Sequence, residues 1–474
     1  MTGAREFLVG GEWRASNEIL DVRFPYTRET VGRVCLAGSV DIEDALRSAA
    51  AGFSLTRHLP AHRRSEILYA LADLLREHAA EFVETIVLEA GKTRALAEGE
   101  VLRARETIEV SAEEARRIDG TILPIDWNEG GEGRIGCIRR FPLGPVLAIT
   151  PFNFPLNLAC HKLGPAIAAG DSIVLKPASA TPISALMFGE LMLDAGFPPA
   201  AISVVPCRSE LAERMVQDDR IACLSFTGSP AIGWHLRGIA GRKRVGLELG
   251  GNAAVIVHED ADIPFAVGRI VAGGFSNAGQ ACISVQRVLV HRDAYERFIA
   301  EAKSAAESLV PGDPMDPATT LGPMIDAGEV RRVDAWVREA AVQGATIVTG
   351  GSPLGERFYL PTILVGCEPR MKVWHEEVFG PVLAVRAYDD FGEAVRMVND
   401  SKYGLQAGVF TRDIHLALEA ARKIECGGVI LNDTAYYKVG NMPYGGMKQS
   451  GFGREGGKYA VREMSEEKIV VVNQ

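Results

Sequence analysis

From Val146 to Leu431 short apolar runs alternate with helical stretches, and few architectures accept that pattern. Val146–Ile149, Ser172–Leu175, Ile202–Val205 and Cys223–Phe226 form a first series. A second begins at Val255 and continues through Arg287–Val290, Val382–Val385, Ala407–Phe410 and Val429–Leu431. Such alternation predicts parallel sheets with right-handed crossovers, arranged as two α/β units with a boundary near Arg244–Gly251. The length of 474 residues supports two units, because it exceeds what one hydrophobic core usually serves.

The segment before the first series is helical from Asp41 to about Thr93. Ile67, Leu68, Leu71, Leu74, Leu75, Phe82 and Ile86 recur at helical spacing, with Pro60 starting and Gly91 ending one longer helix. Gly130–Gly133 separates two extended runs, Thr121–Ile125 and Arg134–Phe141, which predict a projecting hairpin. With the terminal apolar strand Lys468–Val472, the hairpin presents unsatisfied edges that a partner subunit would pair.

A net charge of −10 and a pI near 5.6 argue against an extended nucleic-acid-binding face. The first residues carry no signal-peptide core, and no apolar stretch of membrane-spanning length occurs, so a cytoplasmic protein without a membrane partner is expected. The eight cysteines show no Cys-x-x-Cys spacing, which indicates neither a metal site nor a disulfide framework.

One of them, Cys282 in Gly279-Gln-Ala-Cys282, follows Glu248-Leu-Gly-Gly-Asn252 by thirty-four residues. A thiol nucleophile with a carboxylate base suits covalent chemistry on a carbonyl. Alone, Cys282 reads more readily as an inert small core residue than as a nucleophile, and Glu248 equally as half of an ion pair. Thr150-Pro-Phe-Asn153-Phe-Pro155 follows a strand at the sheet edge where α/β folds place ligands. Asn153 is there either an oxyanion donor or the cap of a helix begun by Pro155. Lys176 and Ser179 end the next strand, as ribose or phosphate contacts or as solvated residues. Phe226-Thr227-Gly228-Ser229, with Gly233 beyond, opens a helix whose free N–H groups suit a pyrophosphate.

In this order, with Glu376–Pro381 and Pro443–Glu455, these motifs resemble the aldehyde dehydrogenase superfamily over nearly the whole chain. The resemblance implies an α/β fold of two Rossmann-like parallel-sheet domains plus a small oligomerisation hairpin. Residues 1–120 with 142–246 would bind NAD or NADP, 247–442 would form the catalytic domain, and 121–141 with 460–474 would make a homodimer or homotetramer. It implies that Cys282 attacks the aldehyde and that Asn153 and the Cys282 N–H stabilise the oxyanion. Glu248 then activates the water that hydrolyses the thioester to a carboxylate. Thr150, Pro151, Phe152, Lys176, Ser179, Phe226, Thr227, Gly228, Ser229, Gly233, Leu249, Gly250, Glu377 and Phe379 match cofactor positions. Lys162 is expected to be structural only.

Ser179 stands where many NAD-preferring members carry a Glu, which admits NADP, and Pro206-Cys207 stands where a Gly is common. The C-terminal motifs resemble the branch acting on lactaldehyde, glyceraldehyde derivatives, phosphonoacetaldehyde and succinate semialdehyde. Arg103 matches an anion-binding position, whereas Ala281 replaces the second Arg of phosphate users. Phe154, Asn157, Ile283, Ser284, Tyr436 and Tyr437 are expected to line the pocket, with Lys438 as a second positive charge. A lactaldehyde- or glyceraldehyde-type substrate is favoured, with succinate semialdehyde as the alternative. A thiol hydrolase without cofactor, or a structural protein, is the rival of another class.

Overall fold

In the structure, a computed structural model that describes residues 3–474, the two apolar series form two separate sheets. The first has eight strands in the order Glu12–Arg14, Phe7–Val9, Ile202–Val204, Ile173–Lys176, Val146–Ile149, Cys223–Thr227, Arg244–Glu248, Gly451–Phe452. Its five central strands are parallel. Val146–Ile149 is buried along its length because helices cover both faces. Every residue of the following helix, Asn157–Ala169, is buried as well.

The second sheet has seven strands in the order Thr346–Thr349, Thr362–Val365, Val382–Tyr388, Val285–His291, Ala253–Val257, Gln406–Phe410, Gly428–Leu431. All neighbours are parallel except the first pair. One core cluster lies around the first sheet and two others occupy opposite faces of the second. Among the described residues no helix is long and apolar enough to cross a membrane.

Three sequence expectations are corrected. The helix expected between Pro60 and Gly91 is two helices, Ala61–Glu77 and Ala79–Ala90, that meet at His78. From Arg76 to Glu81 no large apolar side chain is available to hold the backbone straight against the core. The helix expected to begin at Pro155 begins at Asn157, where the Glu100 carboxylate accepts from the Leu156 and Asn157 N–H groups at 3.0 and 3.1 Å. Asn153 therefore does not cap it.

The third correction concerns the edges expected to await a partner. Ser465–Asn473 pairs along its whole length with Arg134–Pro142 of the same chain, and Thr121–Leu123 lies on the other side. The hairpin and the tail thus satisfy each other's inner edges, leaving only the outer edges of a three-stranded sheet. Ile122, Ile469, Val471 and Val472 on this sheet are exposed.

Candidate active site

The order of the first sheet puts Val146–Ile149 beside Cys223–Thr227. The chain leaves this pair toward opposite edges of the sheet, which opens a crevice at the carboxyl ends of the strands. A cavity of about 550 Å³ lies there, closed from the other side by residues of the second unit. Pro151, Phe152, Asn153, Thr227, Gly228, Ser229, Glu248, Leu249 and Gly250 line it from the first unit. Ala281, Cys282, Ile283, Glu377, Phe379, Tyr436 and Lys438 line it from the second.

The loop carrying Cys282 is tightly determined. Asn277, Ala278 and Gly279 all take left-handed backbone conformations, with φ of 52°, 53° and 72°. A Cβ at Gly279 would also come within 2.1 Å of the Gly380 carbonyl oxygen, so no other residue fits. Gln280 locks the turn: its Nε2 donates to the Asn277 carbonyl at 3.1 Å and its Oε1 accepts from the Ile325 N–H at 2.9 Å. Asn153 donates through Nδ2 to the Gln280 carbonyl at 3.0 Å. A primary amide has a second N–H, so one donor remains for the cavity. A Cβ at Gly251 would lie 2.3 Å from the Cys282 carbonyl oxygen, so the Glu-Leu-Gly-Gly loop meets the cysteine loop backbone to backbone.

Cys282 is half-buried, and burial pushes its thiol up to about 11. The Tyr444 hydroxyl lies 3.0 Å from its Sγ. Glu248 is 4 % exposed and forms no ion pair among the described residues, which argues against the reading of it as half of a salt bridge. Its Oε2 is buried without a hydrogen-bond partner. Burial first, and then the charge of Glu455, raise Glu248 well above the usual carboxylate range. Burial pushes the Glu455 carboxyl up, but Lys162, at an Nζ–Oε1 contact of 2.9 Å, together with His161 and Lys438 outweighs it and holds the group low. Lys162, expected to be structural only, thus shares with His161 and Lys438 in setting the charge behind Glu248. A buried carboxyl with no competing partner among the described residues, facing a thiol across one cavity, suits hydrolysis of an acyl-enzyme.

The cofactor positions divide. Thr150, Lys176, Ser179, Phe226 and Gly233 stand outside the cavity wall: Thr150 and Phe226 are buried, Ser179 is exposed, and Gly233 packs against Leu249. The remainder suit a dinucleotide. Helix Pro230–Ile239 starts after Ser229 with no side-chain cap, so its first N–H groups are free for phosphate oxygens. Glu377 accepts from the Gly251 N–H at 2.9 Å through one oxygen and keeps the other for a hydroxyl. Phe379, at a left-handed φ of 47°, stands edge-on to Phe152 at 6.1 Å, which gives an aromatic wall for a ring.

At the other end of the cavity Arg103 lies over the Phe154 ring, 5.5 Å from its centroid, with Asn157 and Thr107 beside it. Arg105 pairs with Glu109 at 3.3 Å, whereas Arg103 has no carboxylate within salt-bridge distance among the described residues. Lys92 covers the Phe154 ring at 3.4 Å and pairs with Glu100, both buried. Lys438 rests on the Tyr444 ring at 3.7 Å. Two expected pocket residues are not in the wall. Tyr437 is 42 % exposed at the end of a turn in which its N–H donates to the Thr434 carbonyl at 3.2 Å, whereas Tyr436 is held inward by a 2.9 Å hydrogen bond with Ser276. Ser284 turns back to donate to the carbonyls of Gly273 and Gly274 at 3.3 and 3.1 Å.

Tyr444, Glu455, His161, Arg332 and Trp336 were given no role from sequence. Tyr444 and Glu455 stand in the quoted C-terminal motif, which was the available signal. The others line the cavity through folding alone.

The family model described as the aldehyde dehydrogenase family matches residues 13–470. The 3-sulfolactaldehyde dehydrogenase of Priestia megaterium is 47% identical over 466 residues, spanning 98% of this chain and 97% of that one. The crystal structure of aldehyde dehydrogenase 21 from Physcomitrella patens, in complex with the reaction product succinate, superposes with a TM-score of 0.98 at 38% identity. That match covers 100% of this chain and 99% of the other. The glyceraldehyde-3-phosphate dehydrogenase GapN of Methanocaldococcus jannaschii, complexed with NADP, gives a TM-score of 0.93 at 33% identity, with coverages of 97% and 100%.

Proposed function

The chain belongs to the aldehyde dehydrogenase family and is an NAD(P)-dependent aldehyde dehydrogenase, and from that premise we propose that it oxidises a short anionic aldehyde to its carboxylate through Cys282. The observation that carries the substrate class is Arg103, a guanidinium in the cavity wall with no carboxylate within salt-bridge distance among the described residues. A guanidinium left in that state suits an anionic substrate group.

The resemblance to lactaldehyde-type enzymes and the unpaired Arg103 are reconciled by one substrate, 3-sulfolactaldehyde, which is lactaldehyde bearing a sulfonate. The 47% identity to an enzyme named for that substrate supports the choice. Ala281 supports it too: a sulfonate carries one charge where a phosphate carries nearly two, so Arg103 with Lys438 supplies enough without a second arginine. Succinate semialdehyde, another short anion, is the second reading, favoured by the likeness to a structure holding succinate.

In this mechanism Cys282 adds to the carbonyl, and Asn153 and the Cys282 N–H receive the oxyanion. Ser229 with the helix start behind it, Glu377 and Phe379 would hold the dinucleotide, and Lys176 and Ser179 would hold its adenosine end. Bound nicotinamide supplies the hydride acceptor. Glu248 then removes a proton from the water that attacks the thioester, and Glu455 with Lys162 fixes the charge behind it. Residues 1–120 with 142–246 serve the cofactor, 247–442 carry the nucleophile, and 121–141 with 460–474 form the assembly element.

Comparison of kcat/KM for 3-sulfolactaldehyde, succinate semialdehyde and lactaldehyde tests the substrate. A charge-assisted bond contributes about 1.5–3 kcal/mol, so Arg103→Ala is expected to lower kcat/KM for the anionic aldehydes roughly 10- to 100-fold and to leave lactaldehyde nearly unchanged. Anion selectivity that survives Arg103→Ala removes the reading.

A further inference from the structure

Tyr444 is 3 % exposed and its ring is fixed among Ile283 and Leu405. Its backbone is pinned by a two-way bridge, Tyr444 N–H to the Glu455 carbonyl at 2.9 Å and Glu455 N–H back to the Tyr444 carbonyl at 2.7 Å. A phenylalanine would fill this apolar niche equally well. The hydroxyl needs a separate reason, because a buried polar atom costs free energy unless it is hydrogen-bonded. Its one partner among the described residues is Cys282 Sγ at 3.0 Å. On the face of the same ring, 3.7 Å from its centroid, sits the Lys438 ammonium.

We propose that the Tyr444 hydroxyl, polarised by the Lys438 ammonium on its ring, is the donor that stabilises the Cys282 thiolate. The proposal rests on the reading of Cys282 as nucleophile. In the resting state the thiol is free to donate to the phenol oxygen. On ionisation the S–H bond breaks, the proton passes to water in the open cavity, and the Tyr444 O–H turns to donate to the sulfur; no electron is transferred.

The charged and titratable groups around the sulfur decide the sign. Tyr444 and Lys438 lower the thiol's proton affinity, whereas burial, Glu377 and Glu248 raise it. Behind them Glu455 pairs with Lys162. Tyr444 itself is held well above its ordinary range, by burial first and by the neighbouring Cys282 and Glu248 next, so it keeps its proton and remains a donor. A cation over an aromatic face is attracted by the ring quadrupole, and here it also strengthens the phenol as a donor. Lys438 is in this respect a positioning residue that acts through Tyr444 as well as by its own charge.

The test is the pH dependence of Cys282 alkylation by iodoacetamide in the full chain without cofactor, followed on the Cys282 peptide by mass spectrometry because the chain has eight cysteines. Loss of a hydrogen bond to a charged group is expected to move the alkylation limb of Tyr444→Phe upward by about one pH unit, roughly a tenfold slower reaction at neutral pH. Lys438→Met shifts it the same way and Lys438→Arg restores most of the wild-type profile, which also serves should Tyr444→Phe fail to fold. A folded Tyr444→Phe with the wild-type profile overturns the proposal, as does a Lys438→Met profile that matches wild type. If Cys282→Ser still oxidises aldehyde, the nucleophile reading itself has failed; if that variant is inactive while the Tyr444→Phe profile is unchanged, only the present proposal has.

Discussion

Glu248 keeps an oxygen buried and unpartnered, an arrangement that costs stability and that a purely structural carboxylate would avoid by pairing. Its raised proton affinity has a kinetic sign. Only the ionised form can accept a proton from water, so kcat should rise with pH through a limb well above the usual carboxylate range. In Glu248→Gln that limb should vanish and steady turnover fall about 10²- to 10⁴-fold, leaving a burst of reduced cofactor near one per site in stopped-flow absorbance. A variant that keeps both the limb and the steady rate would exclude Glu248 as the base. Cys282 and Glu248 were legible in the sequence as candidates because each sits in a motif. Tyr444 was quoted in a motif but its contact was not legible, since the 3.0 Å approach to Cys282 joins residues 162 positions apart.

At the scale of elements, the helix Asn157–Ala169 depends on Glu100 of the helix Arg94–Arg116, whose carboxylate caps it and pairs with the buried Lys92. Removing one partner of a buried pair strands the other, at about 3–5 kcal/mol. Glu100→Ala should therefore lower the unfolding free energy by about that amount in denaturant titration, while Glu98→Ala on the exposed face should change it by less than about 1 kcal/mol. Equal effects would show that the cap contributes nothing special. A second pair of elements tests burial by pH. Glu89 accepts from the Ile183 and Ser184 N–H groups, and burial lifts its carboxyl to about 7 from an ordinary 4.5. Because the folded state holds that proton more tightly, its contribution is complete below pH 4.5 and is lost as pH rises to about 7. Glu89→Gln should flatten the fall in melting temperature over this window. Strand centres were visible in the sequence as apolar runs, but the break at His78 and the start at Asn157 were not, because both depend on packing partners elsewhere in the chain.

Across the whole molecule, the tail Ser465–Asn473 is stitched to Arg134–Pro142, so a chain shortened before Glu467 loses strand pairing inside the protomer as well as an outer edge. Sedimentation should report a lower assembly mass for the shortened chain, whose Arg134–Pro142 edge is left unpaired; an unchanged mass would show that assembly does not use this sheet. The sequence by itself determined the two parallel-sheet units, the order of the motifs and the identity of the nucleophile and base candidates. Those features are written in hydrophobic period and in residues adjacent along the chain. Tertiary structure alone decided that Tyr437 and Ser284 face away from the cavity, that Arg103 has no carboxylate partner among the described residues and that the tail pairs within its own chain. It also decided that Lys438 rests on the ring of Tyr444. The reason is physical: these outcomes depend on which distant groups arrive at the same place, and only folding the chain brings them together.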